Sequence, residues 1–107
     1  HREPAAPGGG AGYAEAVSPF GTVRATWLAA GPERGFLHIY SDHDGTRARR
    51  ARIAVTQGGQ SRVVNRETWP LEAIVPVAGG QPVEVRLDPI TAAGETVPGP
   101  LLKVAAP

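Results

Sequence analysis

The sequence predicts an all-β domain, an antiparallel sandwich of about seven short strands with immunoglobulin-like or jelly-roll-like topology. Three observations lead there. Apolar residues recur with a period near two from Gly21 onward, the spacing of half-buried strands. Glycine and proline, 14 and 11 of the 107 residues, cut the chain into short pieces, which favours strands and turns over helices. Gly-Gly and Asp-Gly pairs stand between those pieces, where tight hairpins need positive φ. A small β-barrel is the alternative, because periodicity does not say whether a sheet closes on itself.

Residues 1–12, "HREPAAPGGGAG", have the composition of a Gly/Pro-rich tail or linker, with no large apolar side chain to bury. Residues 13–107 are expected to form the single domain. In "TVRATWLA" Val23, Ala25 and Trp27 share one face of a strand. "GFLHIYS" sets Leu37 and Ile39 opposite Phe36, His38 and Tyr40, apolar on both faces as in a central strand. "RIAVT" pairs Ile53 with Val55, and "SRVVN" is a short strand. "LEAIVPV" aligns Leu71, Ala73, Val75 and Val77, while Pro76 removes a ladder donor and points to a sheet edge or bulge. "VEVRLD" turns Val83, Val85 and Leu87 inward and Glu84, Arg86 and Asp88 outward, and "LLKVA" closes the set. "QGGQ" at 57–60, "AGGQ" at 78–81 and the Asp-Gly of "DHDG" predict three hairpins.

Charge and composition narrow the function. A net charge of +1 argues against a dedicated nucleic-acid binder, which needs many uncompensated phosphate contacts. No cysteine is present, which excludes a disulfide frame and thiolate metal sites. No apolar run approaches the roughly 20 residues of a membrane-spanning helix. The chain begins at His1 and reads as a processed or excised product, with a targeting or anchoring segment expected upstream. Serines stand at 18, 41 and 61 without a nucleophile-elbow pattern or triad spacing, so the expectation is a non-catalytic protein without a cofactor.

The stretch "IYSDHDGTRARR", residues 39–50, concentrates the candidate sites. Asp42 and Asp44 occupy two places of a calcium loop, but glycine follows Asp44 directly, no distal glutamate comes after, and Arg47, Arg49, Arg50 and Arg52 oppose a cation. The turn reading has both aspartates accepting backbone N–H bonds while Gly45 takes positive φ. His38 and His43 could add imidazoles to Asp42 and Asp44, as zinc or copper would require. A free amino-terminal His1 could also chelate copper. In "RARRAR" strict alternation sets Arg50, Arg52 and Ala48 on one face and Arg47, Arg49 and Ala51 on the other. That pattern reads as a solvated edge strand guarded by charge. Its functional alternative is a docking patch, Arg47, Arg49, Arg50 and Arg52, for an acidic protein partner or anionic headgroups.

"FLHIYSDHDG", "PVEVRLDPI" and "LLKV" together resemble the strand phrasing of bacterial cell-envelope β-sandwich modules, including carbohydrate-binding-like appendages of glycosyltransferases. "LHIYSDHDG" is also similar to a strand and turn in periplasmic domains that accompany heavy-metal efflux. The resemblance implies an extracytoplasmic structural or protein-interaction module, an accessory subunit of a larger envelope or membrane assembly. It offers as an alternative a carbohydrate-binding module, with Trp69, Tyr13 and Tyr40 as its aromatic platform and Trp27 left to the core. A periplasmic metal-binding domain using His38, Asp42, His43 and Asp44 is the second alternative.

Overall fold

A computed structural model describes residues 8–18, 20–43 and 45–107. Among the described residues the chain forms nine strands: β1 Gly8–Gly10, β2 Tyr13–Ser18, β3 Gly21–Ala29, β4 Arg34–Ser41, β5 Ala48–Gln57, β6 Gln60–Arg66, β7 Leu71–Ala78, β8 Val83–Thr91 and β9 Leu101–Val104. They make two antiparallel sheets, ordered β1-β2-β3-β4-β7 and β6-β5-β8-β9. The sheets face each other as a sandwich and do not close into a barrel.

The seven expected strands are β3 to β9, and their inward faces are the expected ones, but Asp88, expected to face solvent with Glu84 and Arg86, is 5% exposed and accepts the Gly99 N–H at 2.8 Å. Val23, Ala25 and Trp27 of the first sheet are buried, as are Leu37, Ile39, Leu71, Val75 and Val77. Ile53, Val55, Val83, Val85, Leu87, Leu102 and Val104 cover them from the second sheet. β4 is a central strand between β3 and β7. Pro76 sits on β7, which pairs only with β4, so the missing N–H faces no ladder partner.

β1 and β2 are additions to the expected set. In β2 the inward side chains are Ala14, Ala16 and Ser18, too small and too polar to announce a strand by hydropathy. Within the Gly/Pro-rich segment, Gly8–Gly10 pair with Tyr13–Glu15, and Ala11 forms a parallel bridge with Ala105. The Gly12 N–H donates to the Ala105 carbonyl at 2.8 Å, and the Trp27 N–H donates to the Gly12 carbonyl at 2.9 Å. This flank of the first sheet is thereby tied to the end of the second.

Only one of the three expected hairpins forms. Gly58 and Gly59, with φ of 59° and 81°, close the two-residue turn between β5 and β6. The "AGGQ" turn instead carries the chain from β7 in the first sheet to β8 in the second, and the "DHDG" turn carries it from β4 to β5 in the same way. A local turn signal specifies a reversal of direction, not which sheet receives the next strand. The two Gly-Gly turns do meet. The Gln57 side-chain amide donates to the carbonyls of Ala78 and Gln81, at 2.8 and 3.1 Å, and its oxygen accepts the Ala78 N–H at 2.8 Å.

The arginine-rich strand also departs from expectation. β5 is not an edge strand; it lies between β6 and β8.

The β8 register makes a direct prediction. Leu87→Ala should destabilise the domain by about 2 to 5 kcal/mol, since Leu87 is fully buried. Glu84→Ala, on the exposed outward side of the same strand, should cost less than about 1 kcal/mol. Urea unfolding of the two variants checks the order.

Candidate functional site

The register of β5 against β8 contains a β-bulge. Ala48 pairs with Thr91, Arg50 with Ile90 and Ala51 with Pro89, so Arg49 is the extra residue. Ala48 and Ala51 both point into the core, at 1% and 0% exposure. Two residues must therefore fit on the outer side between them, where strict alternation allows one. They are Arg49, exposed, and Arg50, half-buried. This overturns the split of arginines between two faces.

The bulge builds a cleft of about 300 Å³ lined by Arg47, Arg49, Arg50, Thr46 and Glu67. Three arginines thus line it with a single acidic residue. Among the described residues, no carboxylate lies within ion-pair distance of Arg49 or Arg50. Arg52, the fourth member of the sequence cluster, is exposed on the sheet face opposite Asp88 and does not line the cleft.

Arg47 connects the cleft to the end of the sandwich. Its guanidinium lies 4.4 Å from the centre of the Phe20 ring. Phe20 in turn meets the His43 imidazole edge to face, at 5.6 Å and 88°. His43 is 1% exposed, and its Nε2 is 3.1 Å from the Ser18 hydroxyl, itself buried. The other ring nitrogen, Nδ1, is buried without a hydrogen-bond partner among the described residues. The Trp69 indole N–H donates to the His43 carbonyl at 2.8 Å. Gly45 lies under that indole, where a Cβ would come within 3.1 Å of the ring. This Ser18–His43 contact was not legible in the sequence, because the two residues are 25 apart, Ser18 at the end of β2 and His43 in the loop after β4.

Asp42 accepts the Thr22 N–H of β3 at 2.6 Å, a bond to the neighbouring strand rather than within its own turn, and lies 3.6 Å from Arg24. Asp44 is outside the described residues. His38 stands on the outer face of the first sheet, 3.2 Å from Glu72. His43 is buried at the end of the sandwich, so the fold does not bring the two histidines together. Among the described residues no cluster of three or more His, Asp or Glu side chains has metal-binding geometry.

The aromatic platform divides as well. Tyr13 and Tyr40 share the outer face of the first sheet, on strands β2 and β4. The Tyr13 hydroxyl donates to Glu15 at 2.5 Å, and that bond, with burial and the nearby charge of Glu15, raises its pKa above the usual phenol value against the opposing pull of Arg24. Tyr40 stacks on His38, at 6.4 Å and 22°. Trp69 lies elsewhere, in the loop before β7 against Gly45. The same outer face exposes Leu28, Phe36 and Ile74, with Leu28, Phe36 and Pro76 in one cross-strand row.

Comparison with protein-family models, characterised proteins and solved structures finds no match to this chain.

Burial holds the His43 pKa below its usual value; nearby Asp42 opposes this and Arg47 adds to it. A histidine depressed in the folded state takes up its proton more readily when unfolded. The domain should therefore keep its full stability above pH of about 6.5 and lose some as pH falls through and below that value. Thermal melts between neutral and mildly acidic pH should show this slope, and His43→Gln should flatten it.

Proposed function

We propose that this domain is a non-catalytic protein-interaction module, an extracytoplasmic accessory subunit of a larger envelope or membrane assembly, which docks an acidic partner through the arginine cleft. The β-bulge carries this reading. It costs the ladder one regular pair and in return sets Arg49 beside Arg50 in a cleft that Arg47 also lines. Bulges serve to re-aim side chains in this way. Guanidinium groups recognise carboxylates with two parallel hydrogen bonds each, and a mostly uncompensated basic cleft speeds the approach of an acidic surface. The strand phrasing of envelope modules supports the compartment.

Deleting Arg49 provides the sharpest test. Without it, Ala48, Arg50, Ala51 and Arg52 alternate regularly, so the domain should fold while the cleft is lost. Arg49→Gln keeps the bulge and removes one charge. In pull-downs from an envelope fraction, the intact domain should retain a partner in a salt-sensitive manner. Arg49→Gln should weaken that retention, and the deletion should abolish it. Equal recovery by the folded deletion variant would remove the cleft from the interaction.

A carbohydrate-binding function has one observation in its favour, the shared outer face of Tyr13 and Tyr40 beside exposed Phe36. The mutual stacking of His38 and Tyr40 uses a face of each ring that a sugar would need. Saturable retardation in a glycan affinity gel, lost in Tyr13→Ala/Tyr40→Ala, would favour this function.

A further inference from the structure

We infer that the free edge of β6 is a second docking surface, which accepts an extended peptide with two carboxylates four residues apart and an apolar residue midway between them. Among the described residues the sandwich has four sheet edges, β1 and β7 in the first sheet and β6 and β9 in the second. Three are short or obstructed. β1 is three residues long, β7 carries Pro76, and β9 is four residues long and runs into Ala105, which is bridged to Ala11. β6 runs seven residues, "QSRVVNR", without proline or glycine. An unpaired edge of that kind is a template for strand addition.

The hairpin sets which groups are offered. Gln57 and Gln60 close the two-residue turn, and the closing pair of such a turn is a hydrogen-bonded one. Gln60, Arg62, Val64 and Arg66 therefore direct their backbone groups to β5. Ser61, Val63 and Asn65 direct theirs to the free edge. Against an added antiparallel strand, Arg62, Val64 and Arg66 fall in the non-hydrogen-bonded pairs, where opposing side chains approach most closely.

Charge selects the occupant. Arg62, Val64 and Arg66 occupy one side of β6, in register with the buried Val55, Ile53 and Ala51. Among the described residues, no carboxylate lies within ion-pair distance of Arg62 or Arg66, and the Arg66 Nε is buried without a hydrogen-bond partner. Beside them, between β6 and β7, opens a groove of about 230 Å³ lined by Val55, Val75, Val77 and Arg62. An acidic residue opposite each arginine and an apolar one opposite Val64 complete the row. A second copy pairing antiparallel about Val64 would set Arg62 against Arg66 of its neighbour, a repulsive arrangement.

The test is a fluorescence-anisotropy titration of the intact domain with a labelled peptide, Thr-Glu-Thr-Val-Thr-Glu-Thr, and its counterpart with lysine in place of glutamate. Saturable binding of the acidic peptide, weakened by salt, and roughly tenfold or more weaker binding of the lysine form are expected. Val63→Pro removes an edge N–H without touching the β5 ladder, and should abolish binding while circular dichroism stays that of a folded sandwich. Arg62→Glu/Arg66→Glu should reverse the preference between the two peptides. Arg49→Gln/Arg50→Gln, which disables the cleft, should weaken peptide binding several-fold less than Arg62→Gln/Arg66→Gln does, because neither cleft arginine stands opposite the added strand. No saturable binding, equal binding of both peptides, undiminished binding by folded Val63→Pro, or dimerisation through β6 in sedimentation velocity would each overturn the inference.

Discussion

A parity constraint in β5 governs much of this molecule. Its core-facing residues are Ala48, Ala51, Ile53 and Val55, and a strand of period two cannot turn both Ala48 and Ala51 inward. Something must give. The core cannot, because burying Arg49 or Arg50 in place of alanine would strand an unpaired charge in an apolar layer. The ladder yields instead, Arg49 becomes the unpaired residue, and two guanidinium groups emerge side by side. One bulge thus both protects the core and sets the arginines of the cleft.

The same economy operates at the end of the sandwich. Sheet ends must be covered where the two layers part, and this chain has few large apolar residues to spare, with two each of Trp, Tyr and Phe. It covers that end with a stack of Arg47, Phe20 and His43, held by the Ser18 hydroxyl and capped by the Trp69 indole bond to the His43 carbonyl. Arg47 belongs both to this stack and to the cleft. Changes at Phe20 or His43 therefore bear on the position of one wall of the cleft as well as on stability.

The two sheets differ in how they treat solvent. The outer face of the first exposes Leu28, Phe36 and Ile74 alongside Tyr13, His38 and Tyr40. The second presents the bulge arginines and ends in the open strand β6. Contiguous apolar surface and unpaired strand edges are both liabilities for an isolated domain. Their coexistence in a chain of 107 residues is consistent with a module that works in contact with others.

Strand positions and faces were legible in the sequence, because alternation is a local property: Val83, Val85 and Leu87 had to share a side once the segment was extended. So was the hairpin at Gly58–Gly59, whose positive φ only glycine adopts without strain, and the edge position of β7, since Pro76 has no N–H to donate. The location of the arginine cluster could be read as well, but not its arrangement. The bulge is decided by how β5 and β8 share a register over their whole length, and neither strand records that alone. The same holds for the "AGGQ" and "DHDG" turns, which look like hairpins locally but carry the chain between sheets because β7 finds its partner in β4 and β8 in β5. β2, with small residues inward, and the Ser18–His43 contact needed the packed sandwich to exist before they carried any meaning. What one strand does to its own side chains is written in its period; which strands meet depends on the total apolar area that two sheets can bury together.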